Sequence, residues 1–156
     1  MGPAPFRFEP SGGDVVEGPA FSLPFKLLAT VIVGGCAFWL AQLWSVGALG
    51  TAKTGGLGWF LAGIALMGWT WFHIMTSRTR IDRLGLYQRW IWDKQMAFDD
   101  LAFGKLIRVR GLDWLIAPRL YVRTLVGKFA VFYAATPELI AEFERLVAEL
   151  KQARRL

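Results

Sequence analysis

The sequence predicts an α+β membrane protein in which an N-terminal hairpin of two transmembrane helices precedes a small β-rich domain closed by one amphipathic helix. Three observations carry this prediction. Residues 27–52 and 54–77 form two runs without a single Asp, Glu, Lys or Arg. After residue 77 the pattern changes to short β-type stretches punctuated by turn residues. From residue 136 onward the apolar residues recur at helical spacing. With 156 residues and a mean hydropathy of +0.38, the chain has room for one small soluble unit beside such a hairpin.

Residues 1–22 come first and read as a cytoplasmic tail. MGPAPFRFEPSGGDVVEGPA is rich in Pro and Gly and has no helical or strand period. Alone it is expected to be disordered, and a larger assembly is its expected holder ahead of the chain's own soluble domain. Pro3 after Gly2, and Phe6 where a hydroxyl residue is required, exclude the myristoylation pattern.

The hairpin is assigned to residues 23–77, with helices at about 24–47 and 57–76 and a turn over residues 50–58. Roughly 20 apolar residues at 1.5 Å rise cross a hydrocarbon core of about 30 Å, and both runs reach that length. A cleavable signal peptide fits the first run poorly, because the run is too long for its apolar region. Lys53 is the only cation between the spans, whereas Arg78, Arg80 and Arg83 follow the second and Lys26 opens the first. The positive-inside rule then places both termini in the cytoplasm. Trp44 and Trp59 fall where an outer aromatic belt would lie, and Trp69, Trp71 and Phe72 at the inner one. Ala37 with Ala41, and Gly58 with Ala62, are small-xxx-small pairs that permit close helix packing, within the hairpin or against a partner.

The soluble domain is assigned to residues 78–156. TRIDR, LYQRWIW, KLIRVRG, RLYVRTLV and KFAVFYA have strand composition or rough alternation. Leu84-Gly85, Asp93-Lys94, a loop at residues 113–118 and Gly127-Lys128 separate them, and QMAFDDLAF reads as a further short strand entering a turn. TPELIAEFERLVAEL then begins a helix, with Thr136 as N-cap, Pro137 at the first position and Glu138 at the positive dipole end. Leu139, Ile140, Phe143, Leu146, Val147 and Leu150 form its apolar stripe, and Glu142, Glu144, Arg145 and Glu149 its other face. One curved antiparallel sheet packed by one helix is the expected outcome.

This order of elements resembles the membrane-anchored bacterial PH-like domain proteins, in which two transmembrane helices precede a PH-like domain. Thr79-Arg80-Ile81 after the second span, Asp100-Leu101 before the strand at residues 105–110, and the closing strand and helix carry the resemblance. It implies a split β-barrel of two sheets capped by the last helix, a place in the bacterial cytoplasmic (inner) membrane, and a scaffold, assembly or binding role. The inositol-phosphate motif of eukaryotic PH domains is not matched in position, since Arg108-x-Arg110 is expected on a middle strand.

Candidate chemistry is sparse. His73, the only histidine, stands near the cytoplasmic end of the second span, where an imidazole can ligate haem iron or chlorophyll magnesium. The bland alternative is an interfacial histidine among tryptophans. Cys36 lies in an apolar run and is expected to be an inert thiol. Asp99 and Asp100 are adjacent and point to opposite faces of a strand. Phosphate-loop, nucleophile-elbow, HExxH and dinucleotide motifs are missing from the sequence, and the spans hold no acid for an ion path. Neither an enzyme nor a transporter is expected, and no cofactor is predicted.

The net charge of +6 belongs to residues 77–156. Arg78, Arg80 and Arg83 are placed to meet anionic headgroups, while Arg108, Arg110, Arg119 and Arg123 are candidates for a second lipid- or partner-binding patch. Nucleic acid is not expected as a partner. The leading expectation is a non-catalytic accessory, scaffold or assembly subunit of a larger membrane complex, respiratory or photosynthetic. The alternatives are a lipid-surface binding module and a cofactor- or pigment-associated subunit acting through His73.

Overall fold

The structure, a computed structural model, describes residues 4–49 and 54–155. Strand β1 (Val15–Pro19) precedes two long helices, α1 (Leu23–Ser45) and α2 (Thr54–Thr76). Strands β2 (Arg78–Asp82), β3 (Gly85–Arg89) and β4 (Lys94–Ala97) follow. Next come β5 (Leu101–Ile107), β6 (Arg119–Thr124), β7 (Phe129–Tyr133) and helix α3 (Pro137–Arg154). The chain is therefore α+β, with two apolar helices long enough to cross a membrane. Of the turn expected over residues 50–58, residues 50–53, Lys53 among them, lie outside the described residues. Residues 54–58 already belong to α2, which starts at Thr54 and not near residue 57.

Two antiparallel sheets replace the single curved sheet expected: β1-β2-β3-β4 and β5-β6-β7. Among the described residues no strand of one sheet pairs with a strand of the other, so no barrel closes. The break has a local cause. Phe98 donates its N–H to Leu84 O and Leu101 donates to Phe98 O, so the chain turns between β4 and β5 instead of continuing the ladder. Strand alternation then buries one face of each sheet: Thr79 and Ile81 of β2, and Leu120, Val122 and Thr124 of β6.

Side chains of the first sheet close the free edge of the second. Gln88 Oε1 accepts the N–H of Tyr133 at 3.2 Å, and Thr79 Oγ1 donates to the carbonyl of Tyr133 at 2.6 Å. Lys94 Nζ donates to Val131 O at 3.2 Å, and beyond the strand Ala135 donates its N–H to Pro19 O at 3.1 Å. Three side chains thus supply hydrogen bonds that a neighbouring strand would otherwise make, and an edge of β7 is covered.

The core lies between the sheets and α3, built from Ile81, Leu86, Phe98, Leu101, Leu120, Phe132, Phe143 and Leu146 with their neighbours. Phe6 and Phe8 belong to it, packing edge-on against Phe98 with ring centroids 6.3 and 5.6 Å away. Burying each stabilises the fold by about 1.5–3 kcal/mol. This corrects the reading of residues 1–22 as a tail needing a larger assembly. Val15–Pro19 pairs in register with β2, and α3 grips the segment before it: Arg154 Nη1 donates to Ala4 O at 2.9 Å and Arg145 donates to Glu9 O. The interactions that order it are of high sequence separation and leave no period in the segment itself.

Three smaller expectations also change. Glu142, placed by periodicity on the solvent face of α3, is buried and accepts the N–H of Ser11 at 3.1 Å as well as its hydroxyl. Strand β5 ends at Ile107, so Arg108 and Arg110 open the β5–β6 loop, where Gly111 adopts a positive φ of 82° and Leu112 N–H turns back to Val109 O. Thr136 is the N-cap of α3 by conformation, but its side chain makes no capping bond. It packs on Gly18 instead, where a Cβ would come within 2.7 Å of Thr136 Oγ1.

Candidate functional site

The junction between the helices and the sheets is the most constrained part of the molecule. Strands β1 and β2 pair up to Pro19 and Arg78, and Ala20 N–H continues the ladder to Ser77 O at 3.2 Å. The chain leaves this ladder into α1 after residues 20–22 and returns from α2 through Ser77 alone. Ser77 is buried and its hydroxyl donates to Arg89 O at 2.8 Å. Ser22 caps α1 by accepting Phe25 N–H at 3.4 Å, and its own hydroxyl donates to Leu115 O at 2.7 Å. Lys26 Nζ donates to Met75 O at 3.2 Å, placing a cation on the last carbonyls of α2, where the helix dipole favours it.

The helices touch mainly each other, and neither has a residue buried inside the fold across its apolar window. Val33, Cys36, Leu40 and Leu43 of α1 and Phe60, Ile64, Met67, Trp71 and Ile74 of α2 are among their half-buried positions. Trp71 Nε1 donates to Thr30 Oγ1 at 2.9 Å, a polar tie across the seam. Ala37, Ala41, Gly58 and Ala62 lie off that seam and are exposed. The small pairs therefore do not bring the two helices together; they mark outward faces. A cleft of about 340 Å³ between the helices is lined by Cys36, Trp39, Trp59, Phe60, Gly63 and Met67 among others.

His73 is half-buried, with the rings of Trp69 and Phe72 at 4.7 and 5.6 Å in edge contacts and its Nε2 unpartnered. No cluster of three metal-ligating side chains occurs among the described residues. What surrounds His73 is an aromatic packing environment.

The arginines separate into three settings. Arg78 and Arg80 project from the same face of β2, and register places Arg89 opposite Arg78 and Tyr87 opposite Arg80. With Glu17 and Thr76 they line a groove of about 230 Å³ beside the end of α2. Arg78 Nε pairs with Glu17 at 2.7 Å, and Arg80 lies 5.3 Å from the Tyr87 ring centroid and 3.4 Å from Asp82. The second setting is the far turn, where Arg83 pairs with Asp14 at 2.7 Å, away from this groove. The third is the other sheet: Arg119 and Arg123 stand on the outward face of β6, and Arg108 pairs with Glu144 of α3. Arg119 lies opposite Ile107, next to Arg108, whereas Arg123 lies opposite Phe103 farther along β5.

Two groups of the first sheet are shifted. The Tyr87 hydroxyl donates to Asp93 Oδ2 at 2.9 Å, and this bond, with some desolvation, raises the phenol above its ordinary value. Burial lowers the Lys94 ammonium, which sits 5.3 Å from the Trp90 ring centroid and 5.9 Å from that of Tyr133. Sequence inspection missed Arg89, Tyr87 and Glu17. The usable signal was a two-residue connection at Arg83-Leu84, which sets Arg78 opposite Arg89 once β2 and β3 are paired.

No protein-family model matches the chain, and neither does any curated protein.

Proposed function

We propose that the protein is a membrane-anchored, non-catalytic accessory or scaffold subunit whose helices pack against partners in a larger membrane complex of respiratory or photosynthetic type. The observation that carries this reading is the junction: a hairpin inserted between two hydrogen-bonded strands, with Ser77 alone between α2 and β2. Such a connection couples the orientation of the domain to that of the helices. A catalytic lid or a diffusing module gains nothing from that coupling, whereas a clamp between membrane helices and their cytoplasmic face requires it. Four strands, three strands and a closing helix support assignment of the domain to the PH-like class. The exposed small pairs Ala37/Ala41 and Gly58/Ala62 support partner packing, because small residues let a third helix approach. In this reading the hairpin spans the bacterial inner membrane and both termini are cytoplasmic.

The test is native electrophoresis of host membranes after mild solubilisation. Migration with a multi-subunit complex, lost on replacing Ala37 and Ala41 by Leu, is the expected result. Migration of the wild-type chain as a lone monomer would overturn the proposal.

A second reading has its own observation, the groove at Arg78, Arg80 and Arg89, which suits an anionic headgroup at the end of α2. Vesicle binding that depends on anionic lipid and weakens with salt is expected for it. Loss of that dependence in the Arg78→Gln/Arg89→Gln double variant locates the site. Equal retention of the two proteins would reject it.

A further inference from the structure

The chain has eight tryptophans. Trp39, Trp44, Trp59, Trp69 and Trp71 are on the two apolar helices, and the other three all stand in two loops of the soluble domain. Trp90 and Trp92 are in the β3–β4 loop and Trp114 in the β5–β6 loop. Both loops lie at the end of the domain where the helices leave it. The ring of Phe21, just before α1, lies 6.3 Å from that of Trp90 and 5.4 Å from that of Tyr133. Ser22, the N-cap of α1, is bonded to Leu115 of the β5–β6 loop.

These loops expose what a water-facing loop normally hides. Trp92 is 75% exposed, Trp114 62% and Leu112 40%. Charge accompanies them: Arg89, Arg110 and Arg119 stand in or beside the loops with Asp93 and Asp113, while Arg108 is paired with Glu144 and Lys94 turns inward to Val131 O. The opposite end lacks that cationic excess. Asp14, Asp82, Asp99 and Asp100 stand there with Arg83, Lys128 and Arg154, and the exposed apolar residues Leu84 and Val126 have no tryptophan beside them.

We infer that the β3–β4 and β5–β6 loops form a second membrane contact beside the helices, with Trp92 and Trp114 seated in the headgroup layer and the surrounding cations facing anionic lipid. The inference rests on the reading of α1 and α2 as membrane spans. Lipid is the occupant for two reasons. Tryptophan combines an apolar ring with one N–H donor and favours the boundary between hydrocarbon and water. The loops are also continuous with the first turn of α1, so a bilayer around that helix reaches them. Such a contact beside the hairpin fixes the tilt of the domain as well as its distance from the surface.

The test uses the full chain with Cys36→Ser, reconstituted in vesicles of phosphatidylcholine and phosphatidylglycerol. Single spin-labelled cysteines replace Trp92, Trp114, Leu84, Val126 or Phe38, one at a time. All five side chains are mostly exposed, so the fold tolerates their replacement. Collisions with oxygen, which concentrates in lipid, are compared with those of a water-soluble nickel chelate. The oxygen-to-nickel ratio is expected to be several-fold higher at 92 and 114 than at 84 and 126, and highest at 38. Water-type ratios at 92 and 114 with a lipid-type ratio at 38 overturn the inference and leave the spans standing. A water-type ratio at 38 overturns the span reading itself, and the inference with it. Shielding of 92 and 114 from both reagents means contact between copies of the protein and also overturns it.

Discussion

Gln88 and Tyr133 belong to different sheets, yet the side-chain carbonyl of one accepts the backbone N–H of the other at 3.2 Å. Thr79 takes the carbonyl of the same Tyr133, so both polar groups of one edge residue are satisfied by side chains. Gln88 and Thr79 are both fully buried, which makes the arrangement costly to break. Replacing Gln88 by Leu strands the Tyr133 N–H and is expected to destabilise the protein by about 1–3 kcal/mol. Thr79→Val is expected to cost less, because a carbonyl tolerates under-satisfaction better than an N–H does. Urea denaturation of the purified protein checks both. A double variant whose loss equals the sum of the two single losses would show that they do not act on one shared edge.

Phe8 makes the N-terminal segment part of the fold. It is 2% exposed, packs on Phe98, and has the Arg145 guanidinium 4.6 Å from its ring centroid. Phe8→Ala is expected to cost about 3–5 kcal/mol, whereas Val126→Ala, at a position 80% exposed, is expected to stay within about 0.5 kcal/mol. Comparison of their urea midpoints decides it; a near-neutral Phe8→Ala would mean that the segment is not part of the cooperative unit.

Glu142 is the latch between α3 and that segment. Its carboxylate accepts from Ser11 and lies 3.4 Å from Arg145 Nη1, while its side chain is only 5% exposed. Glu142→Gln removes the charge and one acceptor oxygen. The expected result is a loss of about 1–3 kcal/mol, of the size measured for hydrogen bonds to charged groups. Amide exchange should accelerate first in residues 4–14 and leave β6 unaffected. Uniform acceleration over the whole domain would contradict a local latch.

Tyr87 should titrate late. Its bond to Asp93 exists only while the phenol keeps its proton, and the raised pKa reflects that. By linkage, the stabilisation is complete below the unfolded value near 10 and is lost as pH rises through the higher folded value. Absorbance titration of wild type minus Tyr87→Phe should show one phenolate forming above pH 10. In Asp93→Asn that step should move down, since the charged partner is gone. A step that does not move would remove Asp93 as the cause.

The apolar helices were legible in the sequence because a span needs only length and lack of charge, both local properties. The close of the chain was legible for a similar reason: Thr136, Pro137 and the stripe from Leu139 to Leu150 are a helix start and a helix face. After residue 77 strand positions came out within a few residues, with β5 the main shift, since alternation is interrupted by the register shift between Leu101 and Phe103; β1 was not expected. Segment 1–22 was misread because the partners of Phe6, Phe8, Val15 and Ser11 lie far along the chain, in β2, the β4–β5 turn and α3.

For the candidate site the division is sharper. Arg78 and Arg80 were visible as cations after an apolar run, but Arg89 and Tyr87 join them only through the β2–β3 register. For Arg108, Arg110, Arg119 and Arg123 the sequence could not supply the strand pairing, which puts the first two in the β5–β6 loop, the others on the outward face of β6, and Arg108 against Glu144.

By itself the sequence determined the two apolar helices, the run of strands and the amphipathic helix, because hydrophobic periodicity and turn chemistry act over a few residues. Only the tertiary structure decided that the hairpin interrupts a β-ladder, that the N-terminal segment is core, and that three tryptophans share one end of the domain with the helices. Each of those depends on residues far apart in the chain meeting through strand pairing and burial, and no local pattern records which strand will accept which partner.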